Sequence, residues 1–214
     1  MLIKTALLLL LSCVMHYASA QNSGFKFPSE PIADANEEPA SNTALTPTCR
    51  AKLKQQKIMV LLAESRNGII SAKQSSYASA VNIINDKLKA LGLKTYTQEQ
   101  IRAQVAQAEI DAYFKNDPDA ALSASKRMAA NYVLRGLIEM TAGRNAMVNV
   151  NQVNVNMEFT LSGSDGRIIS QTGASNASFA GNDVSGMARI LVKENADEVV
   201  TKLYNDYCAK AGKR

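Results

Sequence analysis

From Val153 to Leu161 the chain alternates without exception: Val153, Val155, Met157, Phe159 and Leu161 are apolar, and Asn154, Asn156, Glu158 and Thr160 between them are polar. A period of two fits a β-strand with one buried and one solvated face, because successive side chains leave a strand on opposite sides. Ser162-Gly163-Ser164-Asp165-Gly166 then supplies turn residues, and Arg167 to Phe179 reads as the returning hairpin strand. Asn131 to Met140 is a further strand, with Tyr132, Leu134, Gly136 and Ile138 on one face. Much of the chain is thereby committed to a sheet that needs a layer on its apolar side.

The preceding hundred or so residues offer that layer. Ile58-Met59-Val60-Leu61-Leu62-Ala63 is a continuous apolar run, the pattern of a central strand buried on both faces. Tyr77, Val81, Ile84, Leu88 and Leu91 recur at helical spacing, and Gly92 sits where that helix stops. Leu93 to Tyr96 is a brief strand. Thr97 with Gln100 makes a capping box that opens a helix with Ile101, Val105 and Ala108 on one face. Asp117-Pro118 starts another, running to about Ala130, with Asp as N-cap and Pro at the first helical position. A last helix near Ser185 to Cys208 aligns Val192, Ala196, Val199, Leu203 and Tyr207. The order β-α-β-α-α-β-β-β-α predicts an α/β (α+β) fold: a mixed β-sheet with packed helices in a single domain over residues 49–210, followed by a basic tail, 211–214.

Ahead of that domain the sequence reads as an address and a tether. Residues 1–20 form a signal peptide: Lys4 is the positive start, Ala6 to Leu11 begins the apolar stretch, and Ala18-Ser19-Ala20 sets cleavage between Ala20 and Gln21. Leu10-Leu11-Ser12-Cys13 competes as a lipoprotein signal, in which Cys13 carries the lipid. Residues 21–48 form an acidic linker with Pro28, Pro31, Pro39 and Pro47 and no sustained hydrophobic period. No later stretch has the length and apolarity of a membrane span, so the expected location is periplasmic, in association with the outer membrane in one version of this reading.

Export decides how the cysteines read. Once the signal is removed, Cys49 and Cys208 are an even pair in an oxidising compartment, and the expectation is a disulfide joining the two ends of the domain. His16 is the chain's one histidine and leaves with the signal, which excludes His-dependent nucleophilic catalysis and imidazole metal ligation. Two basic and four acidic residues precede residue 49, leaving 22 basic against 15 acidic in the remainder. That excess favours anionic envelope polymers or acidic protein faces over nucleic acid, although basic residues this scattered also suit a plain solvated surface.

Several patterns invite a chemical role, and each has a simpler reading. Gly163-Ser164-Asp165-Gly166 lacks the lysine of a phosphate loop and the ligand series of a calcium loop, so it reads as a hairpin turn. Asp111, Asp117 and Asp119 can cap helices as readily as hold a cation. Glu64 with Arg66 follows the first strand, where open α/β sheets bind ligands. No catalytic residue, metal ligand or cofactor is assigned. The stretch Val148 to Asn156 pairs an apolar face with amides, and Asn149, Asn151, Asn154 and Asn156 are the candidate strand-pairing interface with another chain; an internal strand with a solvated amide face is the alternative.

Taken in order, Lys57-Ile58-Met59-Val60-Leu61, the helix ending Leu88-Lys89-Ala90-Leu91-Gly92-Leu93, and the strand Ala129-Ala130-Asn131-Tyr132-Val133-Leu134-Arg135-Gly136-Leu137-Ile138-Glu139 resemble the CsgG, LpoB and FlgT-type domains of the bacterial cell envelope. Val155 to Leu161 with Asp165-Gly166-Arg167-Ile168-Ile169 is similar to their hairpin, and the resemblance covers about residues 55–207. It implies a non-catalytic module that assembles or energises envelope machines: export channels, activators of peptidoglycan synthases, flagellar rings. The channel branch inserts long amphipathic hairpins where this chain has only Thr141 to Gln152 and Ala177 to Gly186, too short for two membrane strands of about 9–11 residues each. The functional expectation is an exported scaffold of a secretion, pilus or flagellar apparatus that docks to envelope proteins, in its specific form as a ring of identical copies. Regulation of a peptidoglycan synthase is the alternative, and a glycan hydrolase using carboxylates alone is the remote one.

Overall fold

A computed structural model describes residues 47–211. The expected signal peptide with its cleavage point at Ala20 and Gln21, Cys13, nearly all of the expected 21–48 linker and the last three residues lie outside that range. One mixed sheet organises the fold. Its centre is β1 (Lys57–Arg66), paired in parallel with β4 (Tyr132–Asn145); β5 (Val150–Gly163) and β6 (Ile168–Phe179) continue the sheet antiparallel. On the other side of β1 lie two short strands, β2 (Ile69–Ser71), antiparallel, and β3 (Lys94–Thr95), parallel. The order is β2-β1-β4-β5-β6, and the sheet does not close.

Helices cover both faces unequally. The first face carries α2 (Ala78–Ala90) and the long α6 (Val184–Ala211), which bury Val81, Ile84, Leu191, Ala196 and Val199 against Val60, Leu62, Met157 and Phe159. The second carries α3 (Gln98–Gln104), α4 (Gln107–Phe114) and α5 (Pro118–Arg127), with Ile101, Ile110 and Phe114 packed against Met59, Leu61 and Val133. Because both layers meet over β1, its residues 58–64 are all buried, which is why that run has no polar alternation. On β5 only the odd positions from Val153 to Leu161 are buried among alternating sites, as the period of two predicts.

The mixed α+β class matches the expectation, with four local differences. Pro47–Leu53 is a short helix, α1, where the linker was expected to continue to residue 48. Asn67 and Gly68, both at positive φ, close a β1–β2 hairpin that has no alternating pattern to announce it. The helix from Thr97 is two helices: Val105 is extended and buried, and the Ala106 N–H goes to the Glu109 carboxylate, which also pairs with Arg127. Both caps read from the sequence hold, Thr97 with Gln100 reciprocally and Asp117 accepting from the Asp119 and Ala120 N–H groups. Finally, β4 and β5 extend to Asn145 and from Val150, further than the apolar pattern reaches.

A disulfide and a buried, hydrogen-bonded amide help to lock α6 to the rest. Cys208 on α6 is bonded to buried Cys49 on α1, with Cα atoms 5.7 Å apart across 159 residues of chain. At mid-helix, buried Asn195 donates from Nδ2 to the Val155 carbonyl (3.2 Å) and the Ala174 carbonyl (3.4 Å), tying the helix to two strands at once. Replacing Asn195 with Ala removes the donor from two buried acceptors and costs about 1–3 kcal/mol, read as a lower denaturant midpoint at unchanged slope.

Candidate functional site: a hairpin arm and an arginine cleft

The pairing of β1 with β4 ends at Ser65 and Glu139, but β4 continues to Asn145 in full register with β5. Residues 140–145 therefore project as one edge of a hairpin arm with no strand beside them. Its tip is built by Asn145, whose Oδ1 accepts from the Met147 (3.0 Å) and Val148 (3.3 Å) N–H groups, and by Asn149 at a φ of 56°. This turn holds the apolar side chains out: Met147 is 94% exposed and Val148 54%. Phe179, at the end of β6 opposite Gln152, is exposed as well.

Between arm and helices the second sheet face is bare. Asn154, Asn156, Glu158, Ser175 and Ala177 are exposed there, with Thr141 beside Asn154 and accepting its amide (3.3 Å). Glu139 and Glu158 occupy diagonal register positions of β4 and β5 on this open face. The outer edge of β6 is partly sealed, because Lys210 and Lys202 on α6 reach the Ile169 and Gly173 carbonyls and the Asn176 side chain accepts the Ala177 N–H. Lysines over an edge strand oppose further pairing. The arm's own outer edge carries Arg144 as its one charge, and that side chain is turned to Asn149.

The four asparagines named from the sequence lie off the open strand edge. Asn151, Asn154 and Asn156 lie on β5, which has β4 along one edge and β6 along the other, so its backbone is committed within the chain. Asn149 sits in the tip turn, and the Asn151 amide donates to the Gly181 carbonyl (2.6 Å). An unpaired edge exists one strand away, on β4. The other sequence candidates have local work: Glu64 is buried and paired with Arg66, Asp111 accepts from Gln107 (2.8 Å), and Asp117 caps α5. Arg66 is held above its ordinary value by its bond to Glu64.

A second site was not singled out from the sequence. On β4, Val133, Arg135 and Leu137 share the second face, and Arg135 interrupts two apolar neighbours. That interruption is the signal that marks it. Its guanidinium lies 5.0 Å from the Phe114 ring centre and 5.6 Å from that of Tyr113, and Nη2 donates to the Phe114 carbonyl (3.3 Å). The Nε–H is buried and has no hydrogen-bond partner among the described residues. Arg135 lines a cleft of about 330 Å³ with Tyr113, Asn116, Thr160, Ser162 and Gln171, and no carboxylate lies among its lining residues. Burial pushes the Tyr113 phenol above its ordinary value, while a bond to Ser162 and the nearby Arg135 charge pull the other way.

Fold and sites together define a class: a single-domain α+β protein with an open mixed sheet, helices on both faces and a projecting β-hairpin. Among solved structures, the hypothetical protein CT253 from Chlamydia trachomatis is similar in fold, with a TM-score of 0.51 at 11% identity over 72% of this chain and 99% of that one. Weaker likenesses include the PelC dodecamer from Paraburkholderia phytofirmans (TM-score 0.42, 17% identity, 71% of this chain and 88% of that one) and the LpoB C-terminal domain from Salmonella enterica (0.36, 17%, 63% and 96%). No protein-family model matches this chain, and no curated protein does. The likeness to CT253, at 11% identity, bears on the fold alone. Among the described residues, no helix is long and apolar enough to cross a membrane.

Proposed function

We propose that this chain is an exported, non-catalytic assembly module of the bacterial envelope that docks to other subunits through its β4–β5 arm. The arm carries the reading: it combines an unpaired strand edge over residues 140–145 with apolar side chains held into solvent at Met147 and Val148. An exposed edge recruits a strand through backbone hydrogen bonds, and the apolar tip adds contact area where that strand ends. The amide-rich face beside it suits a like surface, because each amide both donates and accepts. A ring of identical copies is the specific form. The signal-peptide pattern and a disulfide that needs an oxidising compartment support an envelope location.

The test is photocrosslinking in cells from position 147 of tagged full-length protein, beside sedimentation of purified wild type and of a Met147→Ser, Val148→Ser variant. Captured envelope proteins or a second copy, together with an assembly that the variant loses, support the reading. Recovery of a peptidoglycan synthase alone replaces the scaffold with the regulator. A monomer with nothing crosslinked at the arm overturns the proposal.

A further inference from the structure

A charged group placed among aromatic rings in a sheet face has to be compensated there, because water reaches it poorly. The Arg135 charge is compensated only in part. Two ring faces offer cation–π attraction, and one carbonyl accepts from Nη2. Against this, Nε–H is orphaned, and no ion-pair partner for Arg135 exists among the described residues. Several other cations are fully answered: Lys87, Arg102, Arg127 and Lys202 each meet a carboxylate. Arg135 thus keeps unmet hydrogen-bonding capacity beside an open cleft that contains no acid.

The cleft's size and lining say what kind of group suits it. About 330 Å³ is the lower end of the range for small-ligand sites. Around the guanidinium stand neutral polar groups, Tyr113, Thr160, Ser162 and Gln171, and beyond them the apolar Leu122 and Ile168. One guanidinium neutralises one negative charge. A dianionic phosphate would keep an uncompensated charge against the rings, whereas a carboxylate leaves none and its flat pair of oxygens matches the planar fork.

We propose that this cleft binds a carboxylate on a small, partly apolar body, anchored by Arg135, with Thr160 and Gln171 at its polar wall and Leu122 and Ile168 against the body. The chemistry is shared by free carboxylic acids and by the terminal residue of a peptide. The site is separate from the arm, and its test does not depend on assembly.

The experiment titrates the mature chain with benzoate, with a short peptide ending in a free carboxylate, with the same peptide amidated, and with inorganic phosphate, following by NMR the backbone amides of the cleft residues Thr160, Ser162 and Gly163 in wild type and variants, and the Arg135 Nε–Hε signal in the wild type. A saturable shift with benzoate below about 10 mM is expected, weakened at least tenfold in Arg135→Lys, which keeps the charge but loses the fork. Gln171 is exposed, so Gln171→Ala leaves the fold intact and weakens binding about threefold, within the range of one neutral hydrogen bond. Binding of the free-ended peptide but not its amide assigns the source to a chain end; benzoate alone assigns it to a free acid. No saturable shift with any carboxylate, a shift unchanged in Arg135→Lys, or phosphate binding tighter than benzoate overturns the assignment.

Discussion

Reduction of the Cys49–Cys208 bond lowers the melting temperature of the domain by about 5–15 °C, corresponding to about 2–4 kcal/mol for a domain of this size. The bond closes a loop of 159 residues, so in the unfolded chain it removes more freedom than a short-range disulfide would. The chain-entropy relation puts the upper bound at roughly 5 kcal/mol, and residual structure in the unfolded state reduces it. Locally the effect falls on α1, a seven-residue helix too short to persist alone. Leu53 and Cys49 bury against the end of α6, and the bond holds that contact closed. Hydrogen exchange of the Cys49→Ser, Cys208→Ser variant should show α1 opening while β1, β4 and β5 stay protected. An unchanged melting temperature under reducing conditions would refute the role given to the bond.

Gly136→Val is expected to cost at least about 3 kcal/mol or to abolish folding, and Gly136→Ala about 1–3 kcal/mol. Gly136 stands at the crossing of the parallel and antiparallel parts of the sheet, beside Leu62 on β1 and Phe159 on β5. A Cβ there would lie 2.4 Å from Phe159 Cε1 and 2.5 Å from Leu62 Cδ2, and both neighbours are fully buried. Space is the reason for glycine at this position: the Phe159 ring lies across the bare Cα and fills the volume a side chain would take. Denaturant midpoints should therefore show coupling: Phe159→Leu, costly alone, recovers part of the loss in Gly136→Ala. Additive losses would place the strain elsewhere.

The readable part of this fold is the part set by local periodicity and local caps. The apolar run at 58–63 and the strict alternation at 153–161 identify β1 and β5, since burial on two faces and on one leave different patterns. Thr97 and Asp117 announce their helices because a cap is completed within three residues. The break at Val105 is harder to see. Its side chain fits the helical stripe, and the chain departs from helix only because Ala106 gains a cap from Glu109, itself held by Arg127 on α5. α1 and β2 are short and held by partners distant in sequence or by a hairpin turn, so neither has a period to read.

The candidate sites divide the same way. Cys49 and Cys208 are legible as a pair because the export expected from the leading residues and the even count that remains leave few alternatives. The Asn-Val stretch correctly shows a strand with an amide face, but its availability depends on which strands lie beside it. Pairing is a long-range property: β6 closes one edge of β5, β4 closes the other, and the open edge moves to residues 140–145 where β1 has ended. Arg135 is visible in sequence only as a charge between Val133 and Leu137. Its meaning comes from Tyr113 and Phe114, brought over it by a helix that precedes it by 21 residues.

What the sequence determined by itself is the class of fold, the buried face of each long strand, the caps and the cysteine pair, because each follows from spacing along a single segment. The tertiary structure alone decided which strand edge is left open, why Gly136 must stay bare, and that a lone guanidinium faces an acid-free cleft. Those are properties of surfaces made by segments far apart in the chain, and no local pattern encodes what another segment will place opposite it.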